Sequence, residues 1–166
     1  MGRRVLCEAV ARASDQDLMG CCPNKAWVQE VRSAVGSARD DEALLAAARD
    51  VFMRLDAGQW RATFATHPKI GDRGSDRESR EQSGMLSATD GVRLAMRQMN
   101  EEYERKFGFI FLICASGKTA EEMLAAIRQR VRNSPDEEVR VAALEQTAIT
   151  ALRLKALVDR PKLTNS

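Results

Sequence analysis

The chain has 166 residues, 44% of them hydrophobic, and a net charge of +2. Its 26 basic and 24 acidic side chains are interleaved, which excludes a basic nucleic-acid footprint, and no apolar run is long enough to span a membrane. The length fits a single domain, residues 1–166, with a sizeable core, and the abundance of Ala, Leu, Arg and Glu favours helices.

In chain order, residues 4–12 read as a short helix. Ser14, with Asp17 three residues on, is an N-cap leading into Leu18 and Met19. After a break at 20–24, Pro23 or Asn24 opens a helix with Trp27, Val28, Val31 and Val35 on one face. A turn at 36–39 leads to a stronger helix, opened by Asp40 and Asp41, with Leu44, Leu45, Ala48, Val51, Phe52 and Leu55 at helical spacing. Gly58 is expected to stop it. A short helix at 60–65 then delivers the stretch 66–71, Thr-His-Pro-Lys-Ile-Gly.

Residues 72–80 are the most polar stretch and read as a loop, followed by a helical turn at 81–85 that Gly84 ends. Ser87, with Asp90 three residues on, caps a long helix to Lys106 with Val92, Leu94, Ala95, Met96, Met99 and Tyr103 as its apolar positions, stopped by Gly108. Residues 109–115 form an apolar, aromatic and β-branched run with no partner strand in the sequence. It reads as a buried extended segment in an otherwise all-α bundle. Its backbone N–H and C=O groups then need partners from outside a ladder, and a bound polar ligand is one candidate. Thr119 with Glu122 is a capping box opening 120–133. Ser134 caps a last long helix, with Pro135 at its first position, that runs to about Val158. Arg153 lies on that helix between Ile149 and Leu157; an arginine on an apolar stripe either snorkels to the surface or holds an anion.

Cysteines Cys7, Cys21, Cys22 and Cys114 have no metal-ligand spacing and suggest no disulfide framework, so a reducing, cytoplasmic setting is expected. No long apolar stretch follows Gly2-Arg3-Arg4, so no secretory leader is expected, and Leu163-Thr164-Asn165-Ser166 is not a peroxisomal address.

His67 is the chain's single histidine. Imidazole is the one side chain whose ordinary pKa lets it give and take protons near neutrality. Pro68 steers His67 out of helical geometry and Gly71 permits a sharp turn, so the ring sits where a helix ends on a stiffened connection. Taken alone, that also describes a histidine capping a helix C-terminus. Glu81 and Gln82, in a turn, and Arg153 supply what an acid–base site would use: a carboxylate beside the imidazole, an amide that donates and accepts, and a guanidinium that clamps a carboxylate.

These residues carry a resemblance. His67-Pro68-Lys69-Ile70-Gly71, then Ser79-Arg80-Glu81-Gln82-Ser83-Gly84, then Asn100 and Tyr103 before Arg105-Lys106-Phe107-Gly108-Phe109-Ile110-Phe111, then Leu152-Arg153-Leu154, resemble the OHCU decarboxylase family over nearly the whole chain. OHCU is 2-oxo-4-hydroxy-4-carboxy-5-ureidoimidazoline, an intermediate of urate breakdown. The resemblance implies an all-α homodimer that needs no cofactor or metal and converts this small molecule to (S)-allantoin. It implies that His67 is the proton donor; Glu81 is assigned here as its acid–base partner. It places Pro68, Glu78, Ser79, Arg80, Glu81, Gln82 and the backbone of Phe111, Leu112, Ile113, Cys114 and Ala115 around the substrate, and Arg153 on its carboxylate. At one position the chain departs from the family pattern: Glu78 stands where a serine is common, with Ser79 one residue later.

Two other readings compete. A non-enzymatic helical interaction module accounts for the amphipathic helices but not for His67, Glu81 and Arg153 together. A cofactor-free lyase or hydrolase acting on a related ureido heterocycle would use the same groups. Metal-dependent hydrolysis is disfavoured by the single histidine.

Overall fold

Side-chain caps cut this chain into its helices. The computed structural model describes residues 2–72 and 74–160; Arg73 of the polar stretch and the C-terminal tetrapeptide lie outside the described residues. In order come α1 (Val5–Arg12), α2 (Asp15–Cys21), α3 (Lys25–Ser37), α4 (Asp41–Met53), α5 (Ala57–Phe64), α6 (Asp76–Glu81), a 3-10 turn at Ser83–Ser87, α7 (Asp90–Phe107), α8 (Ala120–Arg130), α9 (Pro135–Ala156) and a closing 3-10 turn at Leu157–Asp159. No strand occurs among the described residues, so the protein is all-α, and 110–115 run extended without a ladder.

Ser14–Asp17 and Thr119–Glu122 form the reciprocal capping boxes expected of them. Asn24 and Asp40 accept from the N–H groups of Trp27 and Ala43, each at 2.8 Å. Several boundaries differ from the sequence reading: Gly84 lies inside the Ser83–Ser87 turn rather than ending one, and α8 stops at Arg130 rather than 133. The break after α4 falls at Arg54, its C-cap, and Gly58 lies inside α5. The cap of α7 is Thr89, whose hydroxyl accepts from Val92 N–H at 3.2 Å, not Ser87, which ends the preceding 3-10 turn. Within the polar 72–80 stretch, Ser75 and Glu78 make a third capping box that opens α6. That helix is stabilised by local hydrogen bonds rather than by apolar burial, for none of its residues is buried.

The structure divides into two compact units, one comprising the residues up to Asp56 with those from Thr147 onward, the other Ala57–Gln146. In the first, α3 and α4 pack together, and Trp27, fully buried on α3, donates its indole N–H to the carbonyl of Ala48 on α4 at 3.0 Å. The C-terminal half of α9 belongs here, and Thr150 on it donates its hydroxyl to the Cys21 carbonyl at the end of α2 (3.3 Å). In the second unit, α7 packs against α8. Tyr103 of α7 gathers the rings of Phe107, Phe109 and Phe111 at centroid distances of 4.6, 5.9 and 5.4 Å. Gly108 makes this possible: α7 ends on a left-handed residue (φ 77°), whose N–H caps Glu104 at 2.8 Å, and the chain turns straight into the extended segment.

Candidate active site

The helix that delivers His67 ends as Pro68 dictates. The N–H groups of Thr66 and His67 bond three residues back, to Thr63 and Phe64 at 3.1 Å each, and the regular helix stops. From there the loop is held on several sides within its own unit. Asn100 of α7, buried, donates its amide to the Ile70 carbonyl at 3.0 Å. Lys69 pairs with Glu104 of α7 at 2.8 Å. Gly71, in a left-handed conformation (φ 95°), donates its N–H to Gln82 Oε1 at 3.0 Å. Phe64, just before the loop, packs its ring 5.5 Å from Phe109. The result is a half-buried imidazole on a connection with little freedom.

Gln82 closes α6 as its C-cap, and Glu81 is that helix's last residue; both are half-buried. The Gly84 that follows is there for space. A Cβ on it would stand 2.0 Å from the Lys118 carbonyl, so any other residue would push the Ser83–Ser87 turn away from the chain leading into α8. Ser79 and Arg80 are exposed. Glu78, at the position where the family pattern commonly has serine, accepts from Ser75 N–H at 2.6 Å and so serves as the cap of its own helix.

The segment of Phe111, Leu112, Ile113, Cys114 and Ala115 is buried throughout. Several of its backbone groups find side-chain partners. Arg130 of α8 donates to the Leu112 carbonyl at 2.7 Å with its guanidinium 4.6 Å over the Phe111 ring. Glu145 of α9 accepts from Cys114 N–H at 2.9 Å, and Lys118 donates to the Cys114 carbonyl at 2.8 Å. Burial raises the pKa of the Cys114 thiol, Lys118 partly lowers it, and the negative charge of Glu145 adds to the rise. Arg130 is in turn fixed by Glu138: its Nε and Nη2 lie 2.7 and 2.6 Å from Glu138 Oε1. Tyr103 adds its hydroxyl to the same oxygen at 2.5 Å, and Asn133 donates to the other at 3.0 Å.

One participant was not singled out from the sequence. Gln146 of α9, with no exposed surface, brings its Oε1 to 2.7 Å from His67 Nε2. Its signal is an amide at helical spacing from Ala142, Ala143 and Ile149, all buried. Within this unit, then, hydrogen bonds link His67 to Gln146 and its loop to Gln82, while Glu145 links α9 to Cys114. Arg153 lies further along α9, in the other unit, 7% exposed, where its charge lowers the Cys22 thiol that burial pushes up to about 12. No group of three or more His, Cys, Asp or Glu side chains suited to a metal occurs among the described residues. A cavity of about 440 Å³ lined by Trp27, Leu45, Phe52, Ala151 and Leu154 in the first unit contains none of the expected site residues except by neighbourhood along α9.

The chain is similar to a uric acid degradation bifunctional protein of Arabidopsis thaliana, 36% identical over 154 residues, 86% of this chain and 47% of that one. It is similar also to a 2-oxo-4-hydroxy-4-carboxy-5-ureidoimidazoline decarboxylase of Amia calva, 33% identical over 85 residues, 51% of this chain and 49% of that one. The chain thus spans about half the length of these curated relatives. Among solved structures it superposes on an OHCU decarboxylase crystallised in the presence of (S)-allantoin, with a TM-score of 0.76 and 30% identity, over 89% of this chain and all of that one. The family model described as OHCU decarboxylase matches residues 9–155, running through both units, and the chain belongs to that family.

Proposed function

We propose that this chain is a carboxy-lyase that decarboxylates OHCU to (S)-allantoin without a cofactor, and that its two units act as one domain of the family. The observation that carries the reading is a set of hydrogen bonds inside one unit: the single histidine to Gln146, its loop to Gln82, and Cys114 of the 111–115 backbone to Glu145, the residue before Gln146.

Decarboxylation needs a sink for the electron pair of the breaking C–C bond. OHCU carries its own: a C=N bond next to the carbon that bears the carboxylate and hydroxyl. As CO2 leaves, the pair forms a C=C bond and the C=N electrons move onto nitrogen, which takes up a proton, giving a neutral enol. The ureido-bearing carbon then takes a proton while the enol hydroxyl becomes a carbonyl, so one proton is consumed overall. Spontaneous protonation reaches both faces. His67, fixed on its loop, delivers from one face and sets the chirality of the product. Glu81 favours the protonated imidazole. Gln82 and the backbone of Phe111, Leu112, Ile113, Cys114 and Ala115 orient the ring, with Pro68, Glu78, Ser79 and Arg80 at its margin.

Arg153 holds the departing carboxylate in this reading. It is buried in the first unit, where a guanidinium needs an anionic partner. Clamping the carboxylate too tightly in the transition state would oppose CO2 release, so its contribution belongs to binding. Arg153→Ala is expected to raise KM by about 10- to 100-fold, the worth of hydrogen bonds to a charged group, with kcat changed far less. Steady-state kinetics decide it; a fall confined to kcat would remove Arg153 from this role.

The reaction is tested by circular dichroism. OHCU is generated in place from urate with urate oxidase and the hydrolase that follows it, and the purified protein is added. A rapid optically active allantoin signal supports the reading; a slow racemic product overturns it. We also read the protein as a homodimer, as its family resemblance implies, and as cytoplasmic, which fits four buried, unbridged cysteines. Light scattering should then give about twice the chain mass of 18.4 kDa. No described helix is long and apolar enough to cross a membrane.

A further inference from the structure

We propose that Gln146 is a positioning residue for the imidazole of His67, fixing which ring nitrogen carries the hydrogen and where the ring points. This rests on the reading of His67 as the proton donor.

A carboxamide at a fully buried helix position is costly unless its oxygen and nitrogen are hydrogen-bonded. Gln146 directs its oxygen to His67 Nε2 at 2.7 Å. An amide oxygen has no hydrogen to give, so in this pairing Nε2–H donates and the ring is held in one tautomer. The neighbouring residue of α9, Glu145, holds Cys114 N–H at 2.9 Å. Consecutive side chains of one helix thereby set the acid and the backbone segment proposed to bind the substrate ring, and their spacing is that of a rigid helix rather than of two loops. The partner is neutral. It orients the imidazole without itself adding a charge beside the ring, so the charge that favours the protonated form is left to Glu81 in this reading.

The chain's single histidine makes the test direct, because an NMR spectrum of the side-chain imidazole contains one ring. Three proteins are compared: wild type, Gln146→Glu and Gln146→Leu. The other ionisable groups of this unit named above stay constant throughout: Glu81 on α6, Lys69 with Glu104 of α7, Lys118, Cys114 and Glu145. Gln146→Glu keeps the acceptor and adds a negative charge beside the ring. It is expected to raise the pH at which His67 titrates by about one unit or more. Since the donor is the protonated ring, kcat/KM falls as pH rises through that value, so the same limb of the activity profile moves upward with it. Gln146→Leu removes the acceptor and is expected to lower kcat by about tenfold to a hundredfold with little change in KM, the effect of a misaimed group. Gln146→Glu restores most of that loss at a pH where the ring is protonated, a rescue that a purely packing role would not give.

An unmoved imidazole titration in Gln146→Glu overturns the proposal, whether or not Gln146→Leu folds. Full kcat in a folded Gln146→Leu overturns it as well. The NMR titration needs no turnover, so it decides the Gln146 contact even if the protein proves inactive on OHCU. An active protein with an unmoved titration removes Gln146 and leaves the reaction standing.

Discussion

His67→Asn is expected to lower turnover of OHCU by at least about a hundredfold, within the range of about 10²–10⁴ that general acid catalysis supplies. Asparagine keeps a polar, compact side chain on the same loop but has no proton to deliver near neutrality. The loop itself should persist, because the bonds that hold it, Asn100 to the Ile70 carbonyl, Gly71 N–H to Gln82 and Lys69 to Glu104, do not involve the imidazole. Substrate and product affinity should therefore survive in part, measurable by calorimetry with (S)-allantoin. Removing the ring also takes a partner from the buried Gln146 oxygen, a cost of about 1–3 kcal/mol, so the variant is assayed well below its own melting temperature. Residual allantoin should be racemic by circular dichroism. Wild-type turnover in this variant would rule out His67 as the acid.

Glu138→Ala is expected to produce the largest loss of stability. Glu138 has no exposed surface, and its two carboxylate oxygens receive Arg130, Tyr103 and Asn133. Its removal strands the Arg130 guanidinium, itself only 8% exposed, without a counter-charge. Breaking a buried pair in this way costs about 3–5 kcal/mol, a large share of the roughly 5–15 kcal/mol that holds a domain together. For a chain of this size that corresponds to a melting point lower by roughly 6–20 °C, read by thermal unfolding. Glu138→Gln keeps an acceptor for Tyr103 and should lose less. The damage is not confined to stability. Arg130 also carries the Leu112 carbonyl, so kcat should fall in Glu138→Ala at temperatures where the protein is still folded. A melting point close to wild type would show that Arg130 finds a substitute partner.

Much of the fold was legible because its signals are local. Ser14, Asn24, Asp40 and Thr119 cap as their spacing indicates, and Gly108 ends α7 where the apolar period stops. The stretch 72–80 reads as a loop because it is so polar; yet its helix needs no apolar stripe, being nucleated by the Ser75–Glu78 box, which that polarity disguises. The site was legible where a residue type is rare or a motif dense, as at His67 and Glu81-Gln82. Gln146 was not, because a glutamine among many polar helix residues becomes conspicuous only once the face it occupies is known to be buried. Unpartnered backbone in 109–115 was expected to call for a ligand, and the structure answers part of that demand with Arg130, Lys118 and Glu145. Those three side chains come from later in the chain, a distance that no local pattern spans.

The four buried thiols have a practical consequence. Burial raises the pKa of Cys7, Cys22 and Cys114, so in the native protein each is a poorly reactive thiol rather than a thiolate. An alkylating reagent reaches them chiefly through transient opening, and mass spectrometry of the labelled peptides then reports opening rates place by place. Cys7, Cys21 and Cys22 sample the first unit and Cys114 the second. Cys114 is tied at both its N–H and its carbonyl within the segment proposed to face the substrate ring, so ligand binding there would slow its labelling while leaving the other three on the clock of their own unit.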